Sequence, residues 1–81
     1  MIKVHLWGSL QNAASGRAVI DVKASNIRQI FRALEAEEPG LGPVLETGIT
    51  VAIDGQLYQD DWFQEVDANS EVYLLPRMEG G

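Results

Sequence analysis

None of the 81 residues is cysteine, which excludes disulfides, thiolate metal ligands and a thiol nucleophile. Histidine occurs once, at His5. A nucleophilic triad would need that imidazole beside a recognisable serine, and a zinc centre generally needs three or four protein ligands. His5 is therefore read as a strand residue. Positive charge is also scarce: six Lys and Arg stand against twelve Asp and Glu, for a net charge of -6. Phosphate backbones are repelled unless those few cations cluster, so nucleic acid is not expected as a partner, whereas a basic protein surface would be attracted. No apolar run approaches the roughly 18 residues of a membrane span, and the start MIKVHLWG is too short and too mixed for a secretory signal. The expectation is a cytoplasmic protein with no membrane contact. GxGxxG, GKS, GKT, HExxH and CxxC are all missing. Asp60, Asp61, Glu65 and Asp67 lack the alternation and central glycine of a calcium loop, so they are read as a solvated acidic segment. No metal and no bound cofactor are expected.

What remains is the composition of one ordinary folded domain, with 46% hydrophobic and 22% charged residues. So short a chain supports a single core. MIKVHLW alternates, placing Ile2, Val4 and Leu6 on one face and Lys3, His5 and Trp7 on the other, as in a half-buried strand. GSLQNAASG has loop composition, and RAVIDVK then sets Ala18, Ile20 and Val22 on a common face, so residues 8–16 are expected to be the loop of a hairpin. From Asn26 the period changes. Ile27, Ile30, Phe31 and Leu34 fall at i, i+3, i+4 and i+7 of an amphipathic helix, capped by Asn26 with Gln29 at capping-box spacing and ended by Pro39 and Gly40. That helix is expected over about 26–38, with LGPVLETG as a connecting loop.

ITVAIDGQLY reads as a hairpin turning at Asp54 and Gly55, with Val51 and Ile53 buried and Leu57 on a short return strand. In the segment that follows, Trp62, Phe63 and Val66 are expected to pin an otherwise irregular stretch to the body. Glu71 to Leu75 forms the last strand. One apolar helix stripe and one apolar sheet face must cover each other, which gives an α+β architecture. The expected fold is a ubiquitin-like β-grasp, a mixed sheet of four to five strands packed on one main helix. The domain is expected over 1–76, with a flexible C-terminal Gly-Gly tail over 77–81.

The ending LLPRMEGG is the most specific feature. Pro76 lacks a donor and closes the strand, so Arg77, Met78, Glu79, Gly80 and Gly81 form an arm with a reach of roughly 17 Å. Glycines at its tip can enter a narrow channel and leave the terminal carboxylate open to approach. A carboxylate is inert until its oxygen is made a leaving group, which conversion to an acyl adenylate by an ATP-dependent partner would do. On the sheet face turned away from the helix, Trp7, Leu57 and Leu75, with Tyr73 nearby, have the character of an interface centre. The alternative is that residues 8–16 cover Trp7 as satellite core.

These residues together resemble the MoaD/ThiS family of ubiquitin-like sulfur carriers, most closely the molybdopterin synthase small subunit. The likeness covers essentially the whole chain: MIKV, the Asn26-capped helix, the VAIDG hairpin, and EVYLLPRMEGG with Glu71, Val72, Pro76, Gly80 and Gly81 at the family's positions. Arg77 departs from a second proline often found there. The resemblance implies that Gly81 is adenylated by an E1-like enzyme using ATP and Mg, and is then converted to a thiocarboxylate with sulfur from a donor. The arm would enter the large subunit of molybdopterin synthase, in a heterotetramer, and sulfur would pass to a pterin precursor. The chain would be a co-substrate, its partner supplying the catalytic side chains, with Trp7, Leu57, Tyr73 and Leu75 docking on that partner. Two further readings stay open: a carrier for thiamine or another pathway, and a protein modifier conjugated through Gly81. A third is a passive adaptor in which the glycines are incidental.

Overall fold

The computed structural model describes residues 1–46, 48–59 and 61–76. The expected tail, Arg77, Met78, Glu79, Gly80 and Gly81, lies outside the described residues, as do Thr47 and Asp60. The elements run in the order β1 (Ile2–Leu6), α1 (Ser9–Ala13), β2 (Val19–Val22), α2 (Ile27–Glu37), α3 (Leu41–Glu46), β3 (Ile49–Ile53), β4 (Gln56–Gln59) and β5 (Glu71–Pro76). Five strands form one mixed sheet in the order β2-β1-β5-β3-β4, parallel only where β1 meets β5.

Period-two alternation decides which side chains face inward. Ile2, Val4 and Leu6 pair in register with Val22, Ile20 and the neighbouring Val72 and Leu74, and all are buried. The stripe Ile27, Ile30, Phe31 and Leu34 of α2 closes over them in a single core. The start of α2 is tied down at several points. Asn26 Oδ1 accepts from the Gln29 N–H at 2.9 Å, and Gln29 Oε1 accepts from the Ser25 N–H at 2.7 Å. The reciprocal bond reaches one residue further back than in a standard capping box. The next orphan donors, Ile27 and Arg28 N–H, are satisfied by the carbonyls of Gln64 and Trp62 at 3.1 and 2.9 Å, so the segment before β5 serves as the cap of the main helix.

Two expected loops are helices. Residues 9–13 form α1, whose Leu10, with Ala14 one turn on, is fully buried. Residues 41–46 form α3, burying Leu41 and Leu45. In each the apolar face is small, with Ala13 beside Leu10 and Val44 beside Leu41 and Leu45 also packed on the core. Pro43 is tolerated because a first-turn residue has no intrahelical acceptor for an N–H. Ala18 is exposed, since β2 begins only at Val19. Of the three residues expected to pin the later segment, only Val66 is buried, while Trp62 and Phe63 remain 41% and 70% exposed. Val66 in the core, the Trp62 ring set edge-on against Phe31 at 5.2 Å, and the backbone bonds to α2 hold that segment together. The last strand runs one residue further than expected, to Pro76, aligned with Ile49.

The hairpin between β3 and β4 turns at Asp54 and Gly55, with φ of 49° and 87°, the left-handed pair that a two-residue type I′ turn requires. Asp54 also fixes the start of β5: its N–H donates to the Glu71 carbonyl at 3.0 Å, and its Oδ1 accepts from the Glu71 N–H at 2.9 Å.

Candidate functional site: the outer face of the sheet

The sheet has helices on one side only, so the opposite face presents every second strand residue outward. Register places these in rows across the strands. Val19 lies opposite His5, His5 opposite Tyr73, Tyr73 opposite Ala52, and Ala52 opposite Leu57. A second row runs from Leu75 to Thr50 and Gln59, where Gln59 Nε2 donates to Thr50 Oγ1 at 2.9 Å. Trp7 lies beside this row, with its N–H donating to the Leu74 carbonyl at 3.2 Å. A third row, Asp21, Lys3 and Glu71, is charged.

The face is therefore graded along the strands. Its charged end holds Lys3, Asp21 and Glu71, and its apolar end holds Trp7, Tyr73 and Leu75. Because β5 runs from Glu71 to Pro76, the apolar end is the one at which the chain passes on toward Arg77 and Gly81. Gly8 approaches the same end, where a Cβ would stand 3.6 Å from Pro76 Cγ. Its φ of 60° turns the chain away from Trp7 into α1, so the segment expected as a possible cover folds elsewhere.

Trp7 and Leu57 are 57% and 63% exposed, while Leu75 and Tyr73 are half-buried among their neighbours. The His5 and Tyr73 rings stack at 4.4 Å with 16° between planes. Ala52 and Thr50 are buried on this side because bulkier residues flank them. All four docking candidates, Trp7, Leu57, Tyr73 and Leu75, thus share one face. His5 and Val19 belong to it as well. Strict alternation along β2 would have identified Val19 once Ile20 and Val22 were placed inward.

Nucleophile, base and metal chemistry have little to work with here. Among the described residues no group of three His, Asp or Glu side chains is arranged to hold a metal ion, and Asp61, Glu65 and Asp67 are exposed. The face is suited to covering by a partner, with exposed apolar side chains toward one end and charges at the other.

No protein-family model matches the chain, and no curated protein is significantly similar to it in sequence. Solved structures do match. A chain of the Amycolatopsis orientalis BexX/CysO complex is 18% identical, with all of both chains covered and a TM-score of 0.82. Small archaeal modifier protein 1 from Methanosarcina acetivorans is 21% identical, covering 99% of this chain and 95% of that one, with a TM-score of 0.81. A chain of the complex between subunits 1 and 2 of the Helicobacter pylori molybdopterin-converting factor is 22% identical over 99% and 97%, with a TM-score of 0.68. The chain is a ubiquitin-like β-grasp domain. At these identities the likeness is one of fold, and it extends over the β-grasp from end to end. α1 and α3 are therefore parts of one continuous domain. Among the described residues, no helix of this β-grasp is long and apolar enough to cross a membrane.

Proposed function

We propose that this chain is a sulfur carrier that works through its Gly81 carboxylate, and that it serves as the small subunit of molybdopterin synthase. The observation that carries the reading is the graded sheet face, whose apolar end coincides with the end of β5 from which residues 77–81 continue. A partner covering Trp7, Leu57, Tyr73 and Leu75 is placed to receive the arm in the same encounter. The fold likeness to a chain of the Helicobacter pylori complex of converting-factor subunits 1 and 2 supports a large-subunit partner for such a face.

In this reading the domain is β-grasp over residues 1–76 and arm over 77–81. An E1-like partner binds ATP and Mg, and the Gly81 carboxylate attacks the α-phosphorus, releasing pyrophosphate. The acyl adenylate then loses AMP to a sulfide-level nucleophile from a sulfur donor, leaving a thiocarboxylate. Gly80 and Gly81 admit both attacks without steric hindrance, and Arg77, Met78 and Glu79 span the distance from the body to the partner's site. When the thiocarboxylate sulfur bonds to the pterin precursor, water cleaves the acyl–sulfur bond, leaving sulfur on the pterin and returning the carboxylate. The chain is spent and recharged, and the cytoplasm supplies the ATP.

A second reading has its own support. The fold likeness to small archaeal modifier protein 1, with a TM-score of 0.81 against 0.68 for the Helicobacter pylori chain, suits a chain whose activated Gly81 is taken by a lysine amine. A carrier for thiamine or another pathway would use the same chemistry. Reconstitution with the molybdopterin synthase large subunit and pterin precursor separates these. The thiocarboxylated chain is expected to yield molybdopterin, and the chain lacking Gly81 is expected to bind the large subunit yet yield none. Equal product from the shortened chain contradicts the reading.

A further inference from the structure

The row across the middle of the outer face runs Val19, His5, Tyr73, Ala52 and Leu57. Its aliphatic members suit docking by apolar contact, but His5 and Tyr73 between them do not. Their rings stack 4.4 Å apart with 16° between planes. Strand side chains stand roughly perpendicular to their sheet, so the stack presents ring edges outward, and the imidazole nitrogens and phenol hydroxyl lie in those edges. Among the described residues neither side chain makes a hydrogen bond or an ion pair. Both are half-buried, and no buried side-chain nitrogen or oxygen among the described residues lacks a partner. Water therefore serves the stack in the free chain.

That solvation ends when a partner covers the face. His5 stacks on Tyr73 and precedes Trp7 on the same side of the sheet, so a surface that covers Trp7 and Tyr73 covers His5 as well. A polar group buried without a hydrogen bond opposes association, whereas one matched across the interface selects the partner that matches it. The charged groups beside the imidazole are Lys3 on β1, Asp21 on β2 and Glu71 on β5, which together form the next row. In its own row Tyr73 is the other titratable group, since β3 and β4 contribute Ala52 and Leu57. Arg17, just before β2, is engaged by Glu37 and Glu38. The two carboxylates favour an imidazolium and Lys3 disfavours it. A basic partner, which the net charge of -6 attracts, decides against the cation.

We propose that His5, held by Tyr73, determines partner choice on this face, and that the partner docks against the neutral imidazole with a basic side chain. This rests on the reading of the face as the docking surface for the large subunit. A neutral imidazole has one N–H donor and one acceptor nitrogen. The partner's N–H donates to that acceptor nitrogen. A second proton on the ring removes the acceptor and sets two cations together. Imidazoles take up that proton as pH falls from about 8 to 5. Binding that selects the deprotonated ring is at full strength above this window and is lost on passing down through it. Apolar contact through Trp7, Leu57 and Leu75 alone carries no such dependence.

Calorimetry of the full chain with the molybdopterin synthase large subunit at about pH 7.5 and about pH 5.5 tests this. The wild-type chain is expected to lose about tenfold or more in affinity at the lower pH, beyond any loss shown by His5→Gln. His5→Gln keeps a donor and an acceptor but takes up no proton, so it reports the titration of the partner's own groups. It should bind within about threefold of the wild-type chain at the higher pH. His5→Leu, which offers neither donor nor acceptor, should bind about tenfold more weakly at that pH and share the pH profile of His5→Gln. Both variants are expected to keep the wild-type melting temperature, because the ring lies outside the core. Parallel pH profiles for wild type and His5→Gln, or full affinity in His5→Leu, overturn the proposal and leave the carrier reading in place. A chain that binds the large subunit at neither pH contradicts the docking reading, and this proposal falls with it.

Discussion

Trp7 shows how position along a strand decides what one side chain presents to solvent. Alternation along β1 turns it outward, and Gly8 immediately bends the chain away, so nothing local covers the indole. Trp7→Ala is expected to weaken binding to the large subunit by about 2 kcal/mol or more, measured by calorimetry, with the melting temperature unchanged. Unaltered affinity would make Trp7 a surface residue without function. Asn26 acts locally instead. Its side chain satisfies the Gln29 N–H, so Asn26→Ala should cost about 1 kcal/mol of unfolding free energy in urea titration and leave partner binding intact. Both residues were legible in the sequence because alternation and capping are local rules. His5 was placed on the same side of β1 as Trp7 by alternation, but its partner across the face was not legible. Its stacking on Tyr73 depends on β1 and β5 being neighbours, 68 positions apart in sequence.

At the scale of elements, the sequence disclosed what repeats and concealed what is short. Four apolar positions over two turns announce α2, and alternation announces the strands. Helices of 5 and 6 residues, α1 and α3, offer only two or three apolar residues each amid glycine, proline, serine and asparagine. Isolated helices shorter than about 12 residues do not persist in water, so these two exist by packing on the core and carry no strong propensity. Leu10→Ala therefore should cost about 2–5 kcal/mol, the range for emptying a buried leucine site. Were residues 8–16 a solvated loop, the same change would be nearly neutral, and thermal or urea unfolding distinguishes the two. The segment between β4 and β5 was legible only in part. Val66 and Trp62 anchor it while Phe63 stays exposed, and its carbonyls also fasten it by capping α2, an arrangement that composition does not reveal.

The whole molecule separates support from chemistry. One core holds a sheet whose free face is graded from charged to apolar, and β5 is directed toward the apolar end. The fold class was legible from element order and the need of each apolar face for a cover. The convergence of Trp7, Leu57, Tyr73 and Leu75 on one face required strand order, which hydrophobic pattern alone does not give. The central claim is that the last carbonyl of this chain is charged and discharged by partners. Intact-mass spectrometry after incubation with the activating enzyme, ATP, Mg and a sulfide source tests it most directly. The account predicts a mass gain equal to one oxygen-to-sulfur exchange, localised to the Gly80–Gly81 fragment and absent when Gly81 is deleted. An unchanged mass, or sulfur found elsewhere on the chain, would contradict it.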